Sequence, residues 1–306
     1  MCLIGLAIDQ SRRFPLVVAA NRDEYFHRPS ARLAWWTPEN GGPSILGGRD
    51  LEAGGTWLGL TAQGRLAMVT NVRDPSRIDP EAPSRGQIVP QWLAGTEPTD
   101  RFWMRTALSG YNGFNLVAAD FQRGECFWAS NLQAHPRRLE RGTYGVSNAA
   151  LDTAWPKTTA LKQRLRVALD EADSVDALAG ALFTALGDRQ LAADTDLPAT
   201  GVSLELERAL SAAFIRMPER GYGTRCSTLV ISERVGRHTL THVMERSYTA
   251  SGAIALLRQA TLKHWPPRYS EDAPSSPVEP GVVSDGPRTR VRSLLKPATS
   301  PRRSKP

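Results

Sequence analysis

Cys2, directly behind the initiator methionine, is the residue of this chain whose type and position could do the most chemistry. Methionine is commonly removed ahead of a small residue, and its removal would leave a thiol and a free α-amino group on one residue. An α-amino group titrates near ~7.7–8.0 and a free thiol near ~8.5, so the amine can take the thiol proton close to neutral pH and leave a nucleophilic thiolate. The opposite reading is a small, buried, inert strand residue, and position alone does not separate the two. The run Ala20-Asn21-Arg22-Asp23-Glu24 favours the nucleophile. It follows the second of two apolar segments joined by a short polar turn, so Arg22 can lie beside the start of the first segment. A guanidinium there lowers a thiol pKa.

Other chemistry finds less support. His238 and His242 stand four apart, but the segment reads as a strand and lacks the glutamate of a zinc peptidase helix, so no metal site is expected. The glycines from Gly41 to Gly59 match a phosphate loop only loosely, because Gly48 and Arg49 stand where the Lys-Ser/Thr pair would be; turn glycines are the better account. There is no Gly-x-Ser-x-Gly elbow.

The elements that must position Cys2 follow from periodicity. Cys2–Ile8 and Pro15–Ala20 flank the polar turn Asp9–Arg13 and read as a largely buried hairpin. Loop chemistry is expected from Asn21 through the glycine pairs at Gly41, Gly47 and Gly54. Strands return at Thr56–Thr61 and Arg65–Asn71 across Ala62-Gln63-Gly64. Gly86–Ala94 and Thr99–Leu108 suit helices, and Phe114–Ala119 and Glu125–Ser130 form a second hairpin. Helical spacing recurs at Trp155–Ala168, Val175–Leu186 and Leu204–Ile215, before a strand pair at Arg225–Ser232 and Thr239–Glu245. Strands that come as hairpins and helices that come in blocks argue for an α+β fold, a four-layer αββα sandwich of mostly antiparallel sheets.

Residues 1–268 are expected to form a single domain. The net charge of +7 equals the seven cations between Gly286 and Pro306, so the upstream chain is balanced and no nucleic-acid partner is expected. Residues 269–306, rich in Pro, Ser and Arg, read as a disordered basic tail. Three scattered cysteines suit a reducing compartment. The first apolar run is too short for a signal peptide and no run reaches transmembrane length, which points to the cytoplasm. Composition leaves the oligomeric state open.

Several short motifs stand together in order: Met-Cys-Leu-Ile at the start, Asn21-Arg22-Asp23-Glu24, Gly54-Gly55-Thr56-Trp57-Leu58-Gly59, Thr70-Asn71, Gly145-Val146-Ser147-Asn148, Asp152-Thr153-x-Trp155-Pro156-Lys157 and Tyr222-Gly223-Thr224-Arg225. Across roughly Met1 to Glu245 the chain resembles the NRDE family, also called the Transport and Golgi organisation protein 2 family. That family is similar in plan to the N-terminal nucleophile (Ntn) hydrolases of the cysteine acylase type. The resemblance implies an Ntn-hydrolase-like αββα sandwich and an amidohydrolase acting on a small amide without a required cofactor. Cys2 would attack the carbonyl and Arg22 would stabilise the thiolate. Asn71 and Asn148 would donate to the oxyanion or else satisfy turns. Arg225 would bind an anionic group or line the pocket. Cysteine acylases carry an aspartate three residues after the arginine, a position held here by Tyr25, so Asp23 and Glu24 are the candidates to orient the amine or to pair with Arg28. Trp57 is a core or pocket residue. The resemblance also implies a second possibility, a binding or trafficking protein for apolar cargo, with haem as a ligand and Cys2 as a soft donor to its iron.

Overall fold

The computed structural model describes residues 2–269 and 281–286. Its strands are, in chain order, β1 (Cys2–Ile8), β2 (Leu16–Tyr25), β3 (Ser30–Trp36), β4 (Ile45–Asp50), β5 (Leu58–Thr61), β6 (Arg65–Asn71), β7 (Phe114–Asp120), β8 (Glu125–Ser130), β9 (Arg137–Arg138), β10 (Gly142–Val146), β11 (Arg216–Met217), β12 (Tyr222–Val235), β13 (His238–Tyr248), β14 (Ile254–Lys263) and β15 (Ser284–Asp285). The α-helices are α1 (Ile88–Ala94), α2 (Thr99–Ala107), α3 (Pro156–Glu171), α4 (Val175–Leu186) and α5 (Leu204–Ala209).

Every residue of β1 is buried, because both faces of its sheet are covered. Ile4, Leu6 and Ile8 point into a core shared with Leu58, Leu60, Leu66 and Met68 of the facing sheet. Leu3 and Ala7 point the other way, against Leu161 and Leu165 of α3 and Leu178 and Leu182 of α4. Each such leucine, removed from water, contributes about 1.5–3 kcal/mol. Gly5 keeps α3 close, since a Cβ there would meet Leu161 at 3.1 Å.

The first sheet runs β10-β1-β2-β12-β13-β14-β15, with β11 beside β12, and the second runs β3-β4-β5-β6-β7-β8-β9. All pairings are antiparallel. On the outer face of the second sheet, Ile88, Trp92 and Phe102 of α1 and α2 pack against Ala67, Val69 and Leu116. The order of layers is helices, sheet, sheet, helices: the expected four-layer αββα sandwich.

Three expectations are corrected. The stretch after Asn21 is not loop: β2 runs on to Tyr25, and β3 and β4 follow. Gly47 and Gly48 are strand residues selected by close approach rather than turn residues. A Cβ on Gly47 would stand 2.5 Å from the Leu58 carbonyl oxygen, and one on Gly48 would stand 2.2 Å from the Trp57 ring. The helix expected over Leu204–Ile215 stops at Ala209. Of the tail expected at 269–306, residues 270–280 and 287–306 lie outside the described residues. In the described segment 281–286, Ser284 and Asp285 pair with Gln259 and Arg258, and Trp35 Nε1 donates to the Gly281 carbonyl at 2.7 Å.

Candidate active site

The β1–β2 hairpin sets the register that matters. Asp9, with φ of 52°, supports the turn, and the antiparallel ladder then pairs Ile8 with Leu16 and, at its far end, Cys2 with Arg22. Directly opposed residues share a face of the sheet. Cys2 and Arg22 therefore follow Ile4, Leu6, Leu16, Val18 and Ala20 onto the inter-sheet face, at the point where the apolar core gives way to a cavity of about 540 Å³. Its walls include Cys2, Arg22, Glu24, Trp57, Asn71 and Arg85.

Arg22 is 5% exposed and held from several sides. Its Nη1 donates to Ser30 Oγ at 3.1 Å, its Nη2 lies 3.6 Å from Asp50 and 3.8 Å from Glu24, and its guanidinium stacks 4.4 Å from the centre of the Trp57 ring. Trp57 thus lines the cavity and supports the arginine while also packing against the inter-sheet core, so both sequence readings describe it. Asp50 has a second cation in Arg28, 2.8 Å away. Burial would raise the Asp50 carboxyl, but the Arg28 hydrogen bond and the Ala53 and Glu52 amides hold it below the ordinary carboxylate range.

With Met1 still attached, the buried Cys2 thiol lies above its ordinary value: burial raises it most, Asp23 and Glu24 add to that, and Arg22 opposes it. Cys226 also pairs with Arg22, on the opposite strand neighbour, but it is sealed in packing and does not line the cavity. Burial followed by Glu245 raises its thiol well above the ordinary value. Burial pushes Cys126 up to about 12. Of the three thiols, Cys2 is the one with a cavity in front of it.

Asp23 lies one residue beyond the register partner of Cys2, at the end of β2 where an amine on Cys2 would emerge. Its Oδ1 accepts from Thr224 Oγ1 at 2.6 Å, and burial raises its carboxyl against the pull of Lys157. Lys157, in the first turn of α3, is 4% exposed and donates from Nζ to the Leu210 carbonyl at 2.9 Å. Burial lowers its pKa to about 8. Below it Arg73 and Glu207 form a buried ion pair at 2.5 Å, with Arg73 stacked 4.9 Å from the Trp155 ring.

The two asparagines divide. Asn71 lines the cavity at the end of β6. Asn148 is 1% exposed, donates from Nδ2 to the Asn71 carbonyl at 2.9 Å, and accepts from Ser147 Oγ at 3.2 Å, the same hydroxyl that donates to the Cys2 carbonyl at 3.0 Å. Asn148 therefore ties Asn71 and Cys2 together from behind. Arg225 is not brought to the cavity wall. Its Nη1 donates to the carbonyls of Tyr25, Phe26 and Arg28 at 2.6, 3.2 and 3.1 Å, closing the turn between β2 and β3. Asn21 holds the carbonyls of Leu186 and Ala213 and has a structural part.

Sequence reasoning missed Asp50, Arg73, Arg85 and Glu207 as neighbours of the site. It had Lys157 only inside a motif; a lysine in the first turn of a helix otherwise packed on the core was the available signal. Among the described residues no group of three or more His, Cys, Asp or Glu side chains could hold a metal ion, and no helix is long and apolar enough to cross a membrane.

Residues 1–250 match the family model described as Transport and Golgi organisation 2. A Transport and Golgi organization protein 2 homolog from Bos taurus is 35% identical, over 82% of this chain and 94% of its own length. The Homo sapiens homolog is 32% identical, over 89% and 98%. Among solved structures, the chain is similar to the C2A mutant of conjugated bile acid hydrolase from Clostridium perfringens (10% identity, 78% of this chain and 90% of that one, TM-score 0.39). It is also similar to a Caenorhabditis elegans N-acylethanolamine-hydrolyzing acid amidase ortholog (10% identity, 75% and 92%, TM-score 0.43). At these scores neither structure's chemistry transfers to this site. With a family model spanning most of its length and relatives above 30% identity that it covers almost end to end, the chain belongs to the Transport and Golgi organisation 2 family.

Proposed function

We propose that this protein is a cysteine amidohydrolase of the N-terminal nucleophile type, cleaving a small amide with Cys2 as nucleophile after Met1 is removed. The observation that supports it is the register pairing of Cys2 with Arg22 on the wall of a cavity able to take a small molecule. In the reaction, the freed α-amine takes the thiol proton and the thiolate sulfur attacks the amide carbon. The carbonyl oxygen becomes an oxyanion, for which the Asn71 amide is the candidate donor, a contribution of about 3–4 kcal/mol. The carbon–nitrogen bond breaks as the ammonium returns its proton to the leaving amine, and an acyl thioester remains. Water, losing a proton to the same amine, releases the carboxylate and regenerates the thiol. Arg22 stabilises the thiolate, and Asp23 orients the amine from the end of β2.

The alternative is a carrier of apolar cargo such as haem. Eight cavity-wall residues, Arg22, Arg28, Arg85, Asp23, Glu24, Asp50, Glu52 and Asp79, are charged, a lining that favours a polar amide over an apolar guest.

Thiol labelling resolved by residue tests the main reading, together with turnover of a panel of N-acyl amides. Cys2 should label far faster than Cys126 and Cys226, and Cys2→Ala should abolish turnover while leaving the fold intact. Equal labelling of all three, or turnover in the alanine variant, would remove Cys2 from the role.

A further inference from the structure

Three arginines line the Cys2 cavity, and they differ in what they face. Arg22 has Asp50 and Glu24 within 4 Å, and Arg28 has Asp50 at 2.8 Å and Glu52 at 3.0 Å. Arg85, in the turn that leads into α1, has no carboxylate that close among the described residues. Its Nη1 donates to the Gly113 carbonyl at 3.1 Å, which anchors the guanidinium by one corner. It is mostly withdrawn from solvent, and burial lowers its pKa while the Cys2 and Glu24 side chains oppose that. Arg85 and Cys2 line the same cavity. A cation mostly withdrawn from solvent, with no carboxylate of the described residues within 4 Å and Glu24 acting only from farther off, gains from an anion brought to its free edge.

We propose that Arg85 is the docking group for a carboxylate on the substrate, and that the substrate class is an amide carrying a carboxylate close to its scissile bond, as in an N-acylated amino acid. This rests on the hydrolase reading of the same site and deepens it. One anchored guanidinium offers its free edge to a planar carboxylate. A phosphate dianion would bring a second charge into a wall that already holds Glu24, Asp50, Glu52 and Asp79. The acyl carbonyl then lies between Arg85 and Cys2, in reach of the thiolate.

The test needs no turnover, so a failure of the hydrolase reading leaves it informative. The full-length protein is alkylated at Cys2 with iodoacetate and, separately, with neutral iodoacetamide, and the two rates are read by peptide mapping. Their ratio cancels the thiolate fraction. In the wild type the ratio should exceed that of a free cysteine peptide by at least about five-fold, and Arg85→Gln should bring it back to the peptide value while Arg85→Lys keeps most of it. N-acetylglycine should protect Cys2 from iodoacetamide at lower concentration than N-acetylglycinamide or inorganic phosphate. Should Arg85→Gln unfold, seen as labelling of Cys126 and Cys226, the wild-type ratio and the lysine variant decide. A wild-type ratio equal to the peptide's, a ratio unchanged in a folded Arg85→Gln protein, loss of the ratio in Arg85→Lys, or equal protection by the three small molecules would each overturn the assignment.

Discussion

Replacing Arg22 with Gln leaves a shorter polar side chain and removes the charge, so Cys2 loses the cation paired with it in register. Opposed residues of an antiparallel pair hold their Cβ atoms ~5 Å apart, and a guanidinium–sulfur separation on the order of 6 Å is assumed for the calculation. At that separation and an effective dielectric near ~20, Coulomb's law gives ~2.8 kcal/mol in favour of the thiolate. The carboxylates of Asp50 and Glu24, 3.6 and 3.8 Å from the same guanidinium, and solvent in the cavity offset part of this. Taking half leaves ~1.4 kcal/mol, about a ten-fold loss of thiolate population at a fixed pH. The assay is the second-order rate of Cys2 alkylation by iodoacetamide at pH 8 in N-terminally processed protein, with thermal unfolding to confirm the fold. Arg22→Gln should react about ten-fold more slowly than wild type, and Arg22→Lys should recover most of the rate. A glutamine variant that is folded and reacts at the wild-type rate would refute the electrostatic part of the argument.

The remaining predictions concern the supports of the site. Lys157 has a pKa of about 8 in the fold against ~10.4 when unfolded. The cost of burying its charge is therefore fully present below pH 8 and fades as pH rises from there to ~10.4. Urea midpoints should show wild type gaining on Lys157→Met across that window, by at most on the order of 3 kcal/mol, whereas a constant difference would place the lysine's charge elsewhere. Gly48→Ala drives a Cβ to 2.2 Å from the Trp57 ring and should cost about 1–3 kcal/mol by overpacking, with a changed tryptophan fluorescence as the ring leaves Arg22; an unchanged melting temperature and spectrum would count against that contact. Arg73→Met leaves Glu207 buried without its partner and should cost about 3–5 kcal/mol in chemical denaturation; a loss below about 1 kcal/mol would show that the pair is not sealed.

Legibility in the sequence followed the range of the interaction. The Cys2–Arg22 pairing could be read because a short turn joins two apolar runs, and in a hairpin the turn fixes the register for its whole length. The layers could be read because antiparallel hairpins and helical blocks leave few ways to bury both. The strands Ser30–Trp36 and Ile45–Asp50 were hidden because Gly47 and Gly48 look like turn residues locally, and the crowding that demands them comes from Leu58 and Trp57 on a later segment. Arg73 and Glu207 lie 134 residues apart, and nothing local announces the pair. Arg225 sits in a motif beside the site, and its motif membership could not reveal that its guanidinium closes a turn. Segment 281–286 reads as tail composition, yet Ser284 and Asp285 pair with Gln259 and Arg258 of β14, where backbone pairing matters more than side-chain type.

The proposed chemistry needs a cysteine at the chain's first position. Intact-mass and N-terminal peptide analysis of purified protein, before and after exposure to a turned-over N-acyl amide under acid quench, tests it most directly. The expected result is a chain lacking Met1 and a single acyl group in thioester linkage on the peptide that begins at Cys2. Full activity in protein that retains Met1, or an acyl group carried by any other residue, would contradict it.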